Sequence, residues 1–148
     1  MSYDTIEAAL LTQIQALDAY DTANAKRGDW RHLGHGKTKA VVLVPGPFTQ
    51  EDASLRNHTR IRWTIDVELY ILWTGEQDTV LASLRTERQS ILDRVNLYPY
   101  LGGTAGILGA LVTGAGSVEA FSSPDGAMFW KQVLNCEVVE DNSFVRQE

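Results

Sequence analysis

A chain of 148 residues with 44% hydrophobic and 22% charged residues has the size and composition of one folded domain that buries roughly two-thirds of its unfolded surface. Its 19 acidic against 13 basic residues give a net charge of −6, opposite in sign to what phosphate-driven nucleic-acid binding requires. The single cysteine, Cys136, closes no disulfide within the chain, which excludes a small secreted disulfide framework and fits a reducing compartment.

The opening Met-Ser-Tyr-Asp places an acid where a signal peptide carries positive charge, so the sequence predicts a protein that stays in the cytoplasm when made. Asp4 and Glu7 match a capping box, and Ile6, Ala9, Leu10, Gln13, Ile14 and Leu17 recur at helical spacing, which predicts a first helix over Asp4–Leu17. Lys39–Val44 is a β-branched run that Pro45-Gly46-Pro47 is expected to stop. The mostly polar Phe48–Asn57 then reads as a loop longer than an ordinary hairpin connection. From Arg60 to Trp73, Ile61, Trp63, Ile65, Val67, Leu69, Ile71 and Trp73 occupy every second position. Arg60, Arg62, Thr64, Asp66 and Glu68 fill the alternate face, the signature of a strand with one buried and one wet side. At about 3.3 Å per residue it reaches on the order of 45 Å, so part of it is expected to project past its own sheet and to need a partner.

Thr74-Gly75 ends that strand. Val80, Leu81, Leu84, Arg88, Ile91, Leu92 and Val95 mark an amphipathic helix over Glu76–Leu97 that closes before Pro99. The uncharged stretch Val95–Val118 is broken by six glycines and a proline, which excludes a membrane span of about 20 apolar residues. Two extended runs follow, Ile107–Phe121 and Ala127–Val139, joined through Pro124-Asp125-Gly126 as an antiparallel hairpin. In the second run Met128, Trp130, Leu134, Cys136 and Val138 share a face, with Gln132 as the exception, and the polar tail Glu140–Glu148 is expected to order only on contact. The order α-β-β-α-β-β predicts a single α+β domain, a mostly antiparallel four-stranded sheet with two helices packed on one face.

No set of residues completes a chemical constellation. Gly34-His35-Gly36-Lys37-Thr38 contains the Gly-Lys-Thr of a phosphate loop, but Arg31 stands where the first glycine belongs and a strand follows where a helix is needed. His32, His35 and His58 lack the acidic or cysteine partners of a zinc site. Asp66 and Glu68 share a strand face, yet Tyr70 occupies the place of the lysine that a restriction-type nuclease requires. Cys136, among core-facing residues with no basic neighbour, reads as inert. No catalytic, cofactor-binding or metal residue is assigned, and no cofactor is expected.

In overall plan the chain resembles the tail-terminator (tail-completion) proteins of long-tailed phages. The resemblance rests on the short N-terminal amphipathic helix, Ala40-Val41-Val42-Leu43-Val44 ending at a proline-rich loop, the alternating strand Ile61–Trp73, and the helix opening near Gly75-Glu76. It extends to the C-terminal hairpin with Phe129-Trp130-Lys131 and Val138-Val139-Glu140. It implies a non-enzymatic virion protein, made in the host cytoplasm, whose homo-oligomeric ring, typically a hexamer, caps the tail tube protein and offers the tail to a head connector or head-completion protein. DNA would pass through without specific binding, which an acidic surface favours by like-charge repulsion. In such a ring the subunit contact is expected along the outer part of the long strand and the polar loop, at Arg60, Arg62, Phe48, Glu51, Asp52 and Arg56. An axial partner would be met by Leu101, Gly102, Gly103 and Gly106. The alternative from another class is a small cytoplasmic ligand-binding protein or enzyme with a pocket between helices and sheet, using His32, His35 or Asp66 as polar contacts.

Overall fold

The computed structural model describes residues 3–17, 20, 24–28, 38–52, 58–103, 106–123 and 126–143. Their order is α1 (Tyr3–Gln15), β1 (Ala25–Arg27), β2 (Lys39–Asp52), β3 (His58–Leu72), α2 (Gln77–Leu97), β4 (Ile107–Ala115), β5 (Glu119–Ser122) and β6 (Met128–Ser143). The class is α+β as expected, but the sheet has six strands, in the order β1-β2-β3-β6-β4 with β5 also on β6. Every pairing is antiparallel except that of β1 with β2.

Both helices lie on one face. Ile6, Leu10 and Ile14 of α1, four residues apart, and Val80, Leu84, Ile91 and Val95 of α2 are buried against Val41, Leu43, Ile65, Val67, Leu69, Leu134, Cys136 and Val138. These are the apolar stripes that helical spacing and strand alternation predict. Asp4 sits inside the first turn of α1, where its charge favours the helix dipole, and Glu7 turns to Arg27 and Tyr3 instead of closing a capping box. The N–H of Tyr98 bonds the carbonyls of Arg94 and Val95 to end α2. Leu101, Gly102 and Gly103 then adopt successive positive φ angles that turn the chain toward β4.

The structure corrects five expectations. Pro45-Gly46-Pro47 does not stop the strand: β2 continues to Asp52 with a bulge between Pro45 and Phe48. In β2 the Val41 N–H bonds the carbonyl of Asn24, so Val41, Leu43 and Pro45 direct their backbone groups away from β3, and the donor that proline lacks costs no bond of the β2–β3 ladder. Gly46 permits the bulge, since a Cβ there would lie 2.8 Å from the Thr64 carbonyl oxygen. Half of the expected loop 48–57, the segment Phe48–Asp52, is therefore strand, and residues 53–57 lie outside the described residues.

Nor does the long strand project. All 15 residues of β3 are in register with β6, and Thr59–Trp63 and Ile65–Ile71 also with β2, so it is an interior strand. The expected run 107–121 is two strands, β4 and β5, which share one edge of β6. Finally β6 extends to Ser143, which makes Glu140–Ser143 ladder residues; 144–148 lie outside the described residues.

Candidate assembly surface

The sheet presents four surfaces, the helix-packed face, the opposite face and two edges, and the candidate residues fall on different ones. On the helix side, at the N-terminus of α1, Tyr3, Trp63 and Phe48 form an aromatic row with adjacent ring centroids 5.1 Å apart. Phe48 follows the bulge opposite Trp63 and stays 57% exposed. The Trp63 indole N–H donates to Glu140 Oε2 at 2.8 Å, and Glu140 is fully buried. Held by an indole, this acid fixes the register of β3 against β6 near this end of the sheet. Below it Arg27 binds both Asp4 and Glu7, tying β1 to α1. Burial first, then the hydrogen bond to Glu7, holds the Tyr3 phenol protonated far above its ordinary range.

The face opposite the helices was expected to be wet, and it is only partly so. Ala40, Val42, Tyr70 and Phe129 form a second buried cluster there, flanked by Val44, Leu72, Phe121 and Ala127. Tyr70 donates to Glu68 Oε1 at 3.0 Å, and Lys131 lies 3.2 Å from Glu68 Oε2 and 5.7 Å from the Tyr70 ring centroid. Glu68 is thus held by a phenol and an ammonium, while burial, reinforced by the Glu68 charge, raises the Asp66 carboxyl above its ordinary value. Because Asp66 is on this face, it cannot line a pocket between helices and sheet. Between α2 and the start of β2, Thr38, Lys39, Ile71, Leu72, Thr74, Thr79, Val80 and Ser83 line a cleft of about 210 Å³, smaller than the roughly 300–1,000 Å³ of typical ligand sites. Lys39 is engaged by Glu87, which also accepts from Tyr20.

Of the residues singled out for assembly, five lie at one end of the β2–β3 ladder: Arg60 stands opposite Glu51, Arg62 opposite Thr49, Phe48 opposite Trp63, and Asp52 opposite Thr59. Arg60 is exposed, and Arg62 pairs with Glu137 at 3.0 Å across β3 and β6. Both sit on an interior strand, so β3 offers no free backbone edge to a neighbour. Phe48, Glu51 and Asp52 belong to β2, and Arg56 lies outside the described residues. Leu101 is a core residue, so its side chain does not face an axial partner; Gly102, Gly103 and Gly106 are exposed. His32, His35 and the Gly34–Lys37 segment are outside the described residues, and His58 begins β3. Gln132, the polar exception on the last strand, is buried with its amide donating to the Gly116 carbonyl at 2.9 Å and its oxygen accepting from Arg88 at 3.4 Å. Among the described residues no cluster of three or more His, Cys, Asp or Glu could hold a metal, and no helix is long and apolar enough to cross a membrane.

Cys136 is buried in the centre of β6, and burial pushes its thiol up to about 12. An unfolded thiol ionises near pH ~8.5, so its share of stability is complete below that value and is lost as pH rises from there toward the folded pKa. The expected result is that a thiol-specific disulfide reagent at mildly alkaline pH labels the denatured chain rapidly and the native chain only at its rate of opening. Equal rates in both states would mean that the middle of the sheet is open to solvent.

Sequence reasoning named Phe48, Glu51 and Asp52 of one outer edge, though as a loop, and missed the other edge, β4. On one side β1 covers only Val41–Leu43 of β2, leaving Val44–Asp52 without a neighbouring strand among the described residues. On the other, β4 has no outer neighbouring strand among the described residues, and it carries Leu108 and Leu111 at 44% and 54% exposure. The nine residues Ile-Leu-Gly-Ala-Leu-Val-Thr-Gly-Ala of β4 contain no charge, a signal readable in the sequence once β4 is known to be an edge. The chain matches no known family model, and no characterised protein shows significant sequence similarity to it.

Proposed function

We propose that this chain is a structural assembly subunit of the tail-terminator type, a homo-oligomeric ring protein that caps a phage tail tube and presents the finished tail to the head connector. The observation that carries the reading is the pair of edges left open among the described residues of one continuous sheet, one at β2 and one at β4. A closed ring needs two different surfaces on each subunit that meet head to tail, and a sheet with two free ends supplies them. The plan that suggested the family supports it further: an amphipathic α1, a long β2–β3 hairpin, α2 and a C-terminal β5–β6 hairpin all pack in one α+β unit. The competing pocket reading is weakened by Asp66 lying on the face away from the helices. The net charge of −6 suits a passage through which DNA slides without sticking.

The test is removal of the coding sequence from the virus that carries it, followed by electron microscopy of the particles. Tails of uncontrolled length and unattached filled heads are expected, both reversed when the chain is supplied from a plasmid. Normal, infectious virions made without the chain would overturn the proposal.

A further inference from the structure

We infer that copies of this chain join by continuing the sheet from one subunit to the next: the outer edge of β4 adds antiparallel to the outer edge of β2, at Phe48–Asp52, of its neighbour. The inference rests on the ring reading above but specifies the contact, which that reading leaves open.

Strand polarity is the first argument. β3 runs antiparallel to β2, β6 to β3 and β4 to β6, so β4 runs antiparallel to β2 and a second copy's β2 laid beside it extends the same alternation. The second is level. Gln50, Ile61, Glu140 and Ile107 lie in one cross-strand row, and Phe48, Trp63, Val138 and Ala110 in another, so the two free edges occupy the same end of the sheet. Hydrogen-bonding capacity is the third. The outward set that begins with Val41, Leu43 and Pro45 resumes after the bulge at Phe48, Gln50 and Asp52. On β6, Val133 and Asp141 turn their backbone toward β4, so the rows of Ala110 and Val112 are those whose β4 groups point away from the sheet.

Chemistry selects these edges over others. Proteins that stay monomeric blunt an edge with lysine, proline or charge. Pro45 and Pro47 guard the middle of β2 in that way and Glu51 and Asp52 put charge at its end, while Phe48-Thr49-Gln50 between them and all of β4 carry no lysine, proline or charge. The exposed Phe48 and the exposed Leu108 and Leu111 supply apolar area on each side of such a joint. Because the two edges differ, the contact is head to tail, and the twist between successive sheets decides whether it closes.

The test uses the full chain in two variants, Gln50→Pro, which removes an outward N–H from β2, and Leu108→Lys with Leu111→Lys, which charges the β4 edge. Phe48→Lys replaces Gln50→Pro if the latter fails to keep the wild-type circular dichroism. Light scattering after size exclusion should show an oligomer for the wild type and 16.4 kDa monomers for each variant alone. An equimolar mixture of the two should give a species of twice the monomer mass, since one variant retains a good β4 edge and the other a good β2 edge. A variant that oligomerises alone, or a mixture that stays monomeric, overturns the inference without touching the tail-terminator proposal, which the deletion phenotype decides. A monomeric wild type at high concentration overturns it as well.

Discussion

Ile65→Asp is expected to leave the chain unfolded in buffer, with the far-ultraviolet signal of a denatured protein and no cooperative melting. Ile65 is fully buried at the middle of β3, with β2 on one side, β6 on the other and the helices above. A carboxylate there has no cation within the apolar cluster to pair with, and burying an unpaired charge costs several kcal/mol, a large part of the ~5–15 kcal/mol that stabilises a domain. The control is Arg62→Ala on the same strand. Arg62 faces the other side and pairs with Glu137 with its side chain 42% exposed, so its loss is expected to cost less than about 1 kcal/mol. Urea titration of both variants measures the contrast. A cooperative transition for Ile65→Asp near the wild-type midpoint would show that the centre of the sheet is not its core.

Tyr70→Ala is expected to destabilise the chain by roughly 3–5 kcal/mol, the range for truncating a buried aromatic side chain. The magnitude matters because Tyr70 points away from both helices, at a position where strand alternation alone predicts solvent. It is fully buried, meets Phe121 and Phe129 in edge-on contacts with centroids 5.2 and 6.3 Å away, and lies under Lys131. Tyr70→Phe keeps the ring packing and removes the hydroxyl that donates to Glu68, so about 1 kcal/mol is expected. If the alanine variant costs no more than the phenylalanine one, the second cluster contributes nothing to stability, and the sheet has a single core.

The contrast between these two positions separates what the sequence by itself determined from what the tertiary structure decided. Local conformation was legible. The alternation from Ile61 to Ile71 specifies a strand with two unlike faces, and the spacing of Val80, Leu84, Ile91 and Val95 specifies α2 and its inner stripe. Pro124-Asp125-Gly126 marks the connection between β5 and β6. Each of these patterns is written in side chains whose burial repeats with the period of the backbone. Neighbourhood was not legible. That β3 is an interior strand, that three residues at Ala25–Arg27 add parallel to β2, that β4 and β5 share the edge of β6, and that Leu101 enters the core all depend on distant partners. The same holds for Phe48, which reads as the start of a polar loop until β2 is seen to pass its prolines on the edge. Strand pairing is made by backbone N–H and C=O groups that every residue but proline carries alike, so the sequence marks which segments extend but not which edges meet. The open edges at β2 and β4, on which the proposed assembly rests, are therefore a product of the tertiary structure alone.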